Sequence, residues 1–266
     1  MTIISSMQLL KFAGRVPAVE TTYSNLYPSF INAYPTDRTF TKQRDNSELW
    51  ILTMIDHRNN LTNAINFVRA SLDNGLRTQD WAADFSRGGA LDAHTYAVNW
   101  SGIPAGVHTI DIQAAVSAGT ATWSTSVDVV QVYEIDGPAI LVGTPTLAPF
   151  ATVNPSLIPT GFPQNNMFTK ELADSEIWAF MNIGHMNSVA GATNTIGMVI
   201  DNSAMKTFAN DFAKGGNFKM ETMIWNIKGL SAGQHSFDVE AAASSGTTGT
   251  FFVNNADLSL YEVAIV

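Results

Sequence analysis

Histidine is the side chain best suited to acid–base or metal chemistry near neutral pH, and this chain has five. Four of them form pairs separated by 127 or 128 positions, His57 with His185 and His108 with His235. The His-x-x-x-His and His-x-Glu spacings that bind zinc are absent from the sequence. We therefore interpret the histidines as structural. His108 and His235 close a turn and open a strand, so we expect their rings to bond turn carbonyls.

Paired carboxylates are the other arrangement that could carry catalysis, as in glycoside hydrolysis. Asp111, Asp238 and Glu240 fall at alternate positions of alternating segments, which predicts an outward, solvated face. The nucleophile elbow, the phosphate-binding loop and the dinucleotide fingerprint are all missing. The sequence therefore predicts a protein that is not an enzyme and uses no cofactor and no metal.

Composition narrows the possible partners. The 266 residues include 45% hydrophobic but only 14% charged residues, against about 25% charged in typical soluble proteins. Sparse charge favours a protein that packs into an assembly. The net charge of −9 and the lack of a basic run argue against nucleic acid as a partner. No apolar run reaches the ~20 residues that span a bilayer, so we expect no membrane association. The chain has no cysteine and no basic segment before its first apolar residues, which predicts synthesis and assembly in a cytoplasm.

A tandem repeat organises the whole sequence. Landmarks of the first half recur in the same order in the second half: Phe40-Thr41-Lys42 with Phe168-Thr169-Lys170, Ser47-Glu48-Leu49-Trp50 with Ser175-Glu176-Ile177-Trp178, Gly102–His108 with Gly229–His235, and Val132-Tyr133-Glu134-Ile135 with Leu260-Tyr261-Glu262-Val263. Units of this size exceed the 20–50 residue period of solenoids. The sequence therefore predicts two sibling domains, residues 1–136 and 137–266, with an N-terminal arm at about residues 1–20.

Each copy has the pattern of an all-β domain. Apolar residues alternate along several segments, and Gly/Ser/Thr/Asn-rich breaks recur every 8–12 residues, as in sandwiches and barrels. The segment Leu72-Asp73-Asn74-Gly75 predicts a tight turn with positive φ. Residues 78–85 and 203–212 carry the strongest helical pattern, which predicts a short helical turn in each copy.

The last part of each copy resembles a module common in bacteriophage virion proteins. Its features are a Gly-containing turn that ends in His, an alternating strand, a Gly-Thr break and a closing strand. They lie here at Gly229–His235, Phe237–Ala243, Gly246-Thr247 and Leu258–Val263, and again in the first copy. Such modules are jelly-roll sandwiches of the C1q/TNF-like type, found in head-decoration proteins, head fibres and tail tips. The resemblance implies an all-β fold with two tandem, sequence-related jelly-roll β-sandwich domains.

The resemblance also implies a role in a virion. The leading expectation is a decoration or cement protein that binds and stabilises the phage head. The major capsid protein or other virion proteins are then its partners, and it forms a homo-oligomer, with a trimer favoured. One alternative is a double-jelly-roll major capsid protein. Another is a fibre or tail-tip protein that binds a receptor or glycan through exposed Trp81 or Trp123.

Candidate partner-binding residues come from two features of the first copy. The arm is apolar, and all seven arginines precede residue 88. Arginine suits interfacial contacts better than lysine. The predicted contact residues are Ile3, Ile4, Leu9, Leu10, Phe12, Arg15, Arg38, Arg44 and Arg58.

Overall fold

The computed structural model describes residues 6–10, 21–32, 38–87, 92–137, 139, 141–143, 149–150, 158–159, 166–201, 203–214, 218–244 and 246–264. All regular structure in this part of the chain is β-strand. The chain forms two compact units, one of Met7–Asp136 and one that contains Gly137–Val266.

The described residues of the first half of the chain form ten strands: β1 (Ser6–Leu10), β2 (Thr21–Tyr23), β3 (Ile31–Asn32), β4 (Arg38–Lys42), β5 (Glu48–Asn59), β6 (Thr62–Leu72), β7 (Arg77–Arg87), β8 (Asp92–Trp100), β9 (Gly106–Val116) and β10 (Ala121–Asp136). They form two antiparallel sheets. One has the order β1-β10-β5-β8, with β2 also on β10, and the other has the order β3-β9-β6-β7, with β4 also on β9.

The second half repeats these ten strands: β11 (Leu141–Gly143), β12 (Pro149–Phe150), β13 (Ile158–Pro159), β14 (Asn166–Lys170), β15 (Ser175–Asn187), β16 (Ala190–Ile200), β17 (Ser203–Lys214), β18 (Phe218–Ile227), β19 (Gly233–Ala243) and β20 (Gly249–Ala264). The sheet orders are β11-β20-β15-β18, with β12 on β20, and β13-β19-β16-β17, with β14 on β19. Every strand of the first unit therefore has an equivalent ten places later.

This strand order is that of a jelly roll. Counting β1 with β2 and β3 with β4 as one interrupted strand each leaves eight strands in two four-stranded sheets, as two Greek keys require. The last two strands of each unit enter the middle of opposite sheets. The expected all-β jelly-roll sandwich is confirmed for the fold class.

The core of each unit lies between its two sheets. In the first unit, Trp81 of β7 contacts Tyr96 of β8, with ring centroids 5.2 Å apart. In the second unit, buried apolar residues of both sheets form one cluster that includes Met198, Trp225 and Leu260. Alternation along the strands directs these side chains inward.

Two local predictions have different outcomes. The turn after Leu72 has φ values of 46° at Asp73, 55° at Asn74 and 104° at Gly75, so the predicted positive-φ turn is confirmed. The predicted helical turns at 78–85 and 203–212 are wrong, because these residues lie in β7 and β17. Each of these strands forms a long hairpin with the strand before it, β6 or β16. The hairpin ladder satisfies the backbone and overrides a weak local helical preference.

Part of the expected N-terminal arm belongs to a sheet. Leu9 and Leu10 end β1, which pairs with β10. The arm residues Ile3, Ile4, Phe12 and Arg15 lie outside the described residues.

Candidate functional site

A histidine–aspartate clamp closes the same turn in both units. The Nδ1 atom of His108 lies 2.7 Å from the Asp73 carboxylate, and its Nε2 atom lies 2.9 Å from the carbonyl oxygen of Pro104. The equivalent distances are 2.6 Å from His235 to Asp201 and 2.9 Å from His235 to Ser231. The predicted bond to a turn carbonyl is confirmed.

The clamp has an electrostatic consequence in the second unit. A carbonyl oxygen and a carboxylate only accept hydrogen bonds, so the geometry suits an imidazolium that donates from both nitrogens. Burial works to lower the pKa of His235, but its bonds to Asp201 and Ser231 outweigh burial and raise that pKa. The pKa of Asp201 is lowered, because the bonds from His235 and the Ser236 amide exceed the effect of burial.

Each unit also contains a buried lysine–serine–glutamate cluster. Such a cluster could be catalytic in principle, because a lysine beside a serine can activate the serine as a nucleophile. In the first unit, Lys42 Nζ lies 2.6 Å from Ser47 Oγ, which donates to Glu134 at 2.5 Å. Glu134 also accepts the backbone amides of Gln43 and Arg44. All three cluster side chains are buried, so Ser47 has no access for a substrate. The cluster instead fastens the β4–β5 loop to the end of β10.

The same cluster recurs in the second unit, where Ser175 donates to Glu262 and Lys170 donates to the Leu172 carbonyl. Burial tends to raise the pKa of Glu262, but the amides of Glu171 and Leu172, with Ser175, lower it overall. In the first unit, burial lowers the pKa of Lys42.

A third shared cluster joins the two sheets of each unit. Asn66 of β6 donates to His57 Nδ1 of β5 at 2.6 Å, and Asn59 donates to Asn66 Oδ1 at 2.9 Å. In the second unit, Asn194 lies 2.9 Å from His185 Nδ1. His57 and His185 therefore have structural partners.

The outward carboxylates are less solvated than the sequence predicts. Asp111 and Asp238 are buried, while Glu240 is partly buried. Burial, with the neighbouring Asp238, raises the pKa of Glu240. Among the described residues, no group of three or more His, Cys, Asp or Glu side chains could hold a metal ion. No helix in the described ranges is long and apolar enough to cross a membrane.

The predicted contact arginines do not form one surface. Arg44 is exposed and lies 2.8 Å from Asp136, and Arg58 is exposed near the far end of β5. The ten residue steps of β5 from Glu48 to Arg58 span roughly 33 Å at about 3.3 Å each, and Arg44 lies in the loop before the Glu48 end. Arg38 is only 7% exposed, because it lies on the same face of β4 as the buried Phe40 and Lys42. It is not available as a surface contact.

The predicted tryptophan site is wrong. Trp81 is 1% exposed and Trp123 is 0% exposed. Trp81 packs on Tyr96, and Trp123 meets Tyr23 edge to face at 6.0 Å. Both indoles therefore belong to the core of the first unit and cannot offer a sugar platform.

The outer face of the β3-β9-β6-β7 sheet carries a different aromatic group, which we call the Tyr27 patch: Tyr27, Phe30, Phe67, Arg69 and Asp80. Tyr27 stacks on Phe67 with centroids 4.4 Å apart and planes at 27°. Phe30 meets Tyr27 edge to face at 5.8 Å. Tyr27 nevertheless remains 48% exposed, so part of its side chain is accessible beside these two rings.

Arg69 ties the aromatic rings to the strands. Its Cζ lies 4.0 Å from the centre of the Phe30 ring, which is cation–π geometry. Its Nε and Nη2 atoms donate to the two carboxylate oxygens of Asp80 at 2.5 and 2.8 Å. The bidentate bond to Asp80 is the main cause that raises the pKa of Arg69, and it makes the pair neutral overall.

Backbone contacts fix the loop that carries Tyr27. The Tyr27 amide donates to the Val116 carbonyl at 2.9 Å, and the Val116 amide donates to the Asn25 carbonyl at 2.8 Å. A further bond from the Ser29 amide to Leu26 closes a turn. The segment is thus attached to the end of β9.

The second unit has no such group at the equivalent described positions. The sheet register pairs Phe67 with Ala115 and Thr195 with Ala242, so Thr195 replaces Phe67. Gly197 likewise replaces Arg69, and both Thr195 and Gly197 are buried. The sequence alone did not predict this patch. The available signal was Phe67 and Arg69 at outward positions where the other copy has Thr and Gly.

The chain is similar to several solved structures, all at low identity and low TM-score. No family model matches the sequence, and no curated protein matches it. Among solved structures, a peptide-N(4)-(N-acetyl-β-D-glucosaminyl) asparagine amidase is similar at 9% identity and TM-score 0.36, over 94% of this chain and 97% of that one. The tandem CBM22-1–CBM22-2 domains of Paenibacillus barcinonensis Xyn10C match at 6% identity and TM-score 0.24, over 96% and 93% of the two chains. A chain of the T13 IBDV viral particle matches at 10% identity and TM-score 0.28, over 98% and 73%. These neighbours are all-β, jelly-roll-like structures, and at these scores they support no assignment of activity, ligand or partner.

Proposed function

We propose that the protein is a non-enzymatic structural protein of a virion that decorates or cements the head. The observation that carries the proposal is the duplicated jelly roll, with the same ten-strand order in each unit. Jelly rolls are frequent in viral coat proteins, and the link from this fold to a coat function is an analogy at the level of the fold.

The polar clusters support a scaffold role. In both units, the side chains that could do chemistry hold strand ends and loops together, as Ser47 and Ser175 do. A cement protein needs such rigidity because it gains affinity by presenting preformed surfaces to its neighbours. The low charge of the chain fits a protein whose surface is partly covered in an assembly.

The proposed partner is the major capsid protein, and the proposed contact residues are the first-unit arginines that the structure exposes, Arg44 and Arg58, with the N-terminal residues. We further propose a homo-oligomer, with a trimer favoured. Contacts at widely separated points such as Arg44 and Arg58 suit a protein that bridges neighbouring subunits.

Binding to particles tests this proposal. Shells that lack the protein are incubated with purified wild type, R44A, R58A and the control K228A, and then sedimented. Lys228 is an exposed cation of the second unit, so its loss controls for a general effect of charge. We expect wild type and K228A to cosediment and to raise the temperature at which the shells open, and we expect R44A and R58A to bind less. Failure of the wild type to bind any shell would overturn the proposal.

A double-jelly-roll major capsid protein is the second candidate, since two sandwiches in one chain are what that class requires. The same preparation distinguishes it. Closed shells that assemble from this chain alone would support the second candidate, whereas soluble oligomers that bind only to preformed shells would support the first.

A further inference from the structure

We infer that the Tyr27 patch is a binding site for a neutral carbohydrate. This inference concerns the outer face of one sheet in the first unit, and it does not depend on the proposed attachment to a capsid. The residues that carry it are Tyr27, Arg69 and Asp80, with the neighbouring amides of Asn32 and Gln113.

The exposed ring supplies the platform. One face of Tyr27 is covered by Phe67, and the exposed 48% of the side chain is the surface that a ligand could reach. Aromatic rings have a negative face and attract positively polarised hydrogens. The C–H groups on one side of a pyranose ring are such hydrogens, and their flat arrangement matches a single phenol ring.

The groups beside the ring supply matched donors and acceptors. Every sugar hydroxyl both donates and accepts, so its site needs groups of both kinds. Asp80 offers carboxylate lone pairs, and Arg69 retains N–H groups that do not face Asp80. Gln113 lies opposite Arg69 in the sheet register and donates to Asn32 at 2.8 Å. These two amides therefore continue the polar row of Arg69 and Asp80 across the same outer face of the sheet.

The charge balance of the patch and the fixed positions of its polar groups indicate which class of ligand it would bind. Arg69 and Asp80 neutralise one another, so the patch gives no net attraction to an acidic or basic ligand. The polar groups are held before a ligand arrives, because Asp80 fixes Arg69, Arg69 lies over Phe30, and Val116 fixes the backbone of Tyr27. Such preorganisation lowers the entropy lost on binding. A few fixed polar groups around an apolar surface are typical of small-ligand sites.

The patch is less suited to a protein partner. A standard protein interface buries about 800 Å² on each side around an apolar centre. Here one exposed ring shares the outer sheet face with an ion pair and with the amides of Asn32 and Gln113.

Saturation-transfer NMR with a panel of tetrasaccharides tests the inference. The panel contains maltotetraose, cellotetraose, mannotetraose and galactotetraose, with tetragalacturonate as the acidic probe. We expect at least one neutral member to bind at millimolar concentration and tetragalacturonate to bind no better. We expect Y27A and R69A each to weaken binding about tenfold, because truncated tyrosine and arginine anchors dominate such sites. Y27F keeps the ring and should keep most of the affinity.

L172A is the matched control, since Leu172 is an exposed apolar residue of the second unit. It should bind like the wild type. Circular dichroism of each variant checks that it is folded. If Y27A does not fold, the comparison of R69A, which should bind weakly, with Y27F, which should bind almost normally, still tests the inference. The inference is wrong if no neutral sugar binds the wild type, or if Y27A and R69A bind unchanged. Loss of shell binding in Y27A, with no sugar bound by the wild type, would instead make the patch a protein contact.

Discussion

The two units agree in their buried polar groups and differ on one outer sheet face. Glu134 and Glu262 hold equivalent loops, and His108 and His235 close equivalent turns. On the outer face, Phe67 and Arg69 of the first unit correspond to Thr195 and Gly197 of the second. Side chains kept in both copies thus maintain the fold, whereas side chains present in one copy are the place to look for binding.

The largest effect should come from breaking the shared buried cluster. E134A and E262A each remove the partner of a buried lysine, so we expect each to lower the free energy of unfolding by about 3–5 kcal/mol. Urea unfolding followed by tryptophan fluorescence measures the loss, and hydrogen exchange at β10 or β20 assigns it to a unit. A large loss in only one of the two variants would break the equivalence of the units.

A glycine pair should separate local crowding from backbone conformation. Gly119 and Gly246 have φ values of 73° and 75°, so alanine should strain both by about 1–2 kcal/mol. A Cβ at Gly119 would lie 2.6 Å from Asn59 Oδ1 and 2.9 Å from Leu61, whereas a Cβ at Gly246 meets nothing within 4 Å. We therefore expect thermal unfolding to show that G119A lowers the free energy of unfolding by about 1–3 kcal/mol more than G246A does. Equal losses of stability in the two variants would show that the β5–β6 turn can move away from the added methyl group at little cost.

The clamp between His235 and Asp201 in the second unit should make a small contribution to stability that depends on pH. The raised pKa of His235 means that its stabilisation is complete below the unfolded value of about 6.5 and is lost as pH rises through the folded pKa. The lowered pKa of Asp201 adds stabilisation that is present above about 3.9 and is lost as pH falls through its folded pKa.

Calorimetry of the wild type and D201N should therefore show their largest difference in unfolding temperature between about pH 4 and pH 6.5. We expect a contribution of about 1 kcal/mol or less, because Asp201 is nearly half exposed and solvent screens the pair. A difference that stays constant up to pH 8.5 would contradict a charged His235.

The Tyr27 patch should contribute as little to stability as the clamp does. Arg69 and Asp80 are partly exposed, so R69A should lower the free energy of unfolding by only about 0.5–1 kcal/mol. The same variant should impair the proposed sugar binding. Equilibrium unfolding of R69A and E134A under the same conditions compares their losses of stability. If R69A loses as much stability as E134A, Arg69 is a structural residue and not a binding residue.

Much of the fold follows from local sequence signals. The Gly102–His108 segment and its copy run into the starts of β9 and β19, and the alternation that follows predicts these strands. Asn74-Gly75 likewise predicts its own turn. Turns and strands of this kind depend on residues that are close together in the chain. They can therefore be predicted from this sequence without knowledge of the tertiary structure.

The errors arise where distant segments decide the outcome. The residues around Trp81 do not follow a clear alternating pattern, so the sequence does not predict its burial. Trp81 is buried because it packs on Tyr96 of the opposite sheet. Arg38 follows the same rule, since its burial depends on the inward face of β4. The Tyr27 patch forms because residues 25–31 cross the outer face of β6, and no periodicity within β6 predicts that crossing.

The position of β10 and β20 has a consequence for synthesis on the ribosome. Each is the last strand of its unit and pairs with β5 or β15 near the middle of a sheet. The first unit cannot complete that sheet until residue 136 has been translated, but it can do so before its sibling exists. Early completion would keep β5 from pairing with the similar β20, a mispairing that threatens proteins with repeated domains. We therefore expect the order of translation to protect this duplicated chain from exchanging strands between its units.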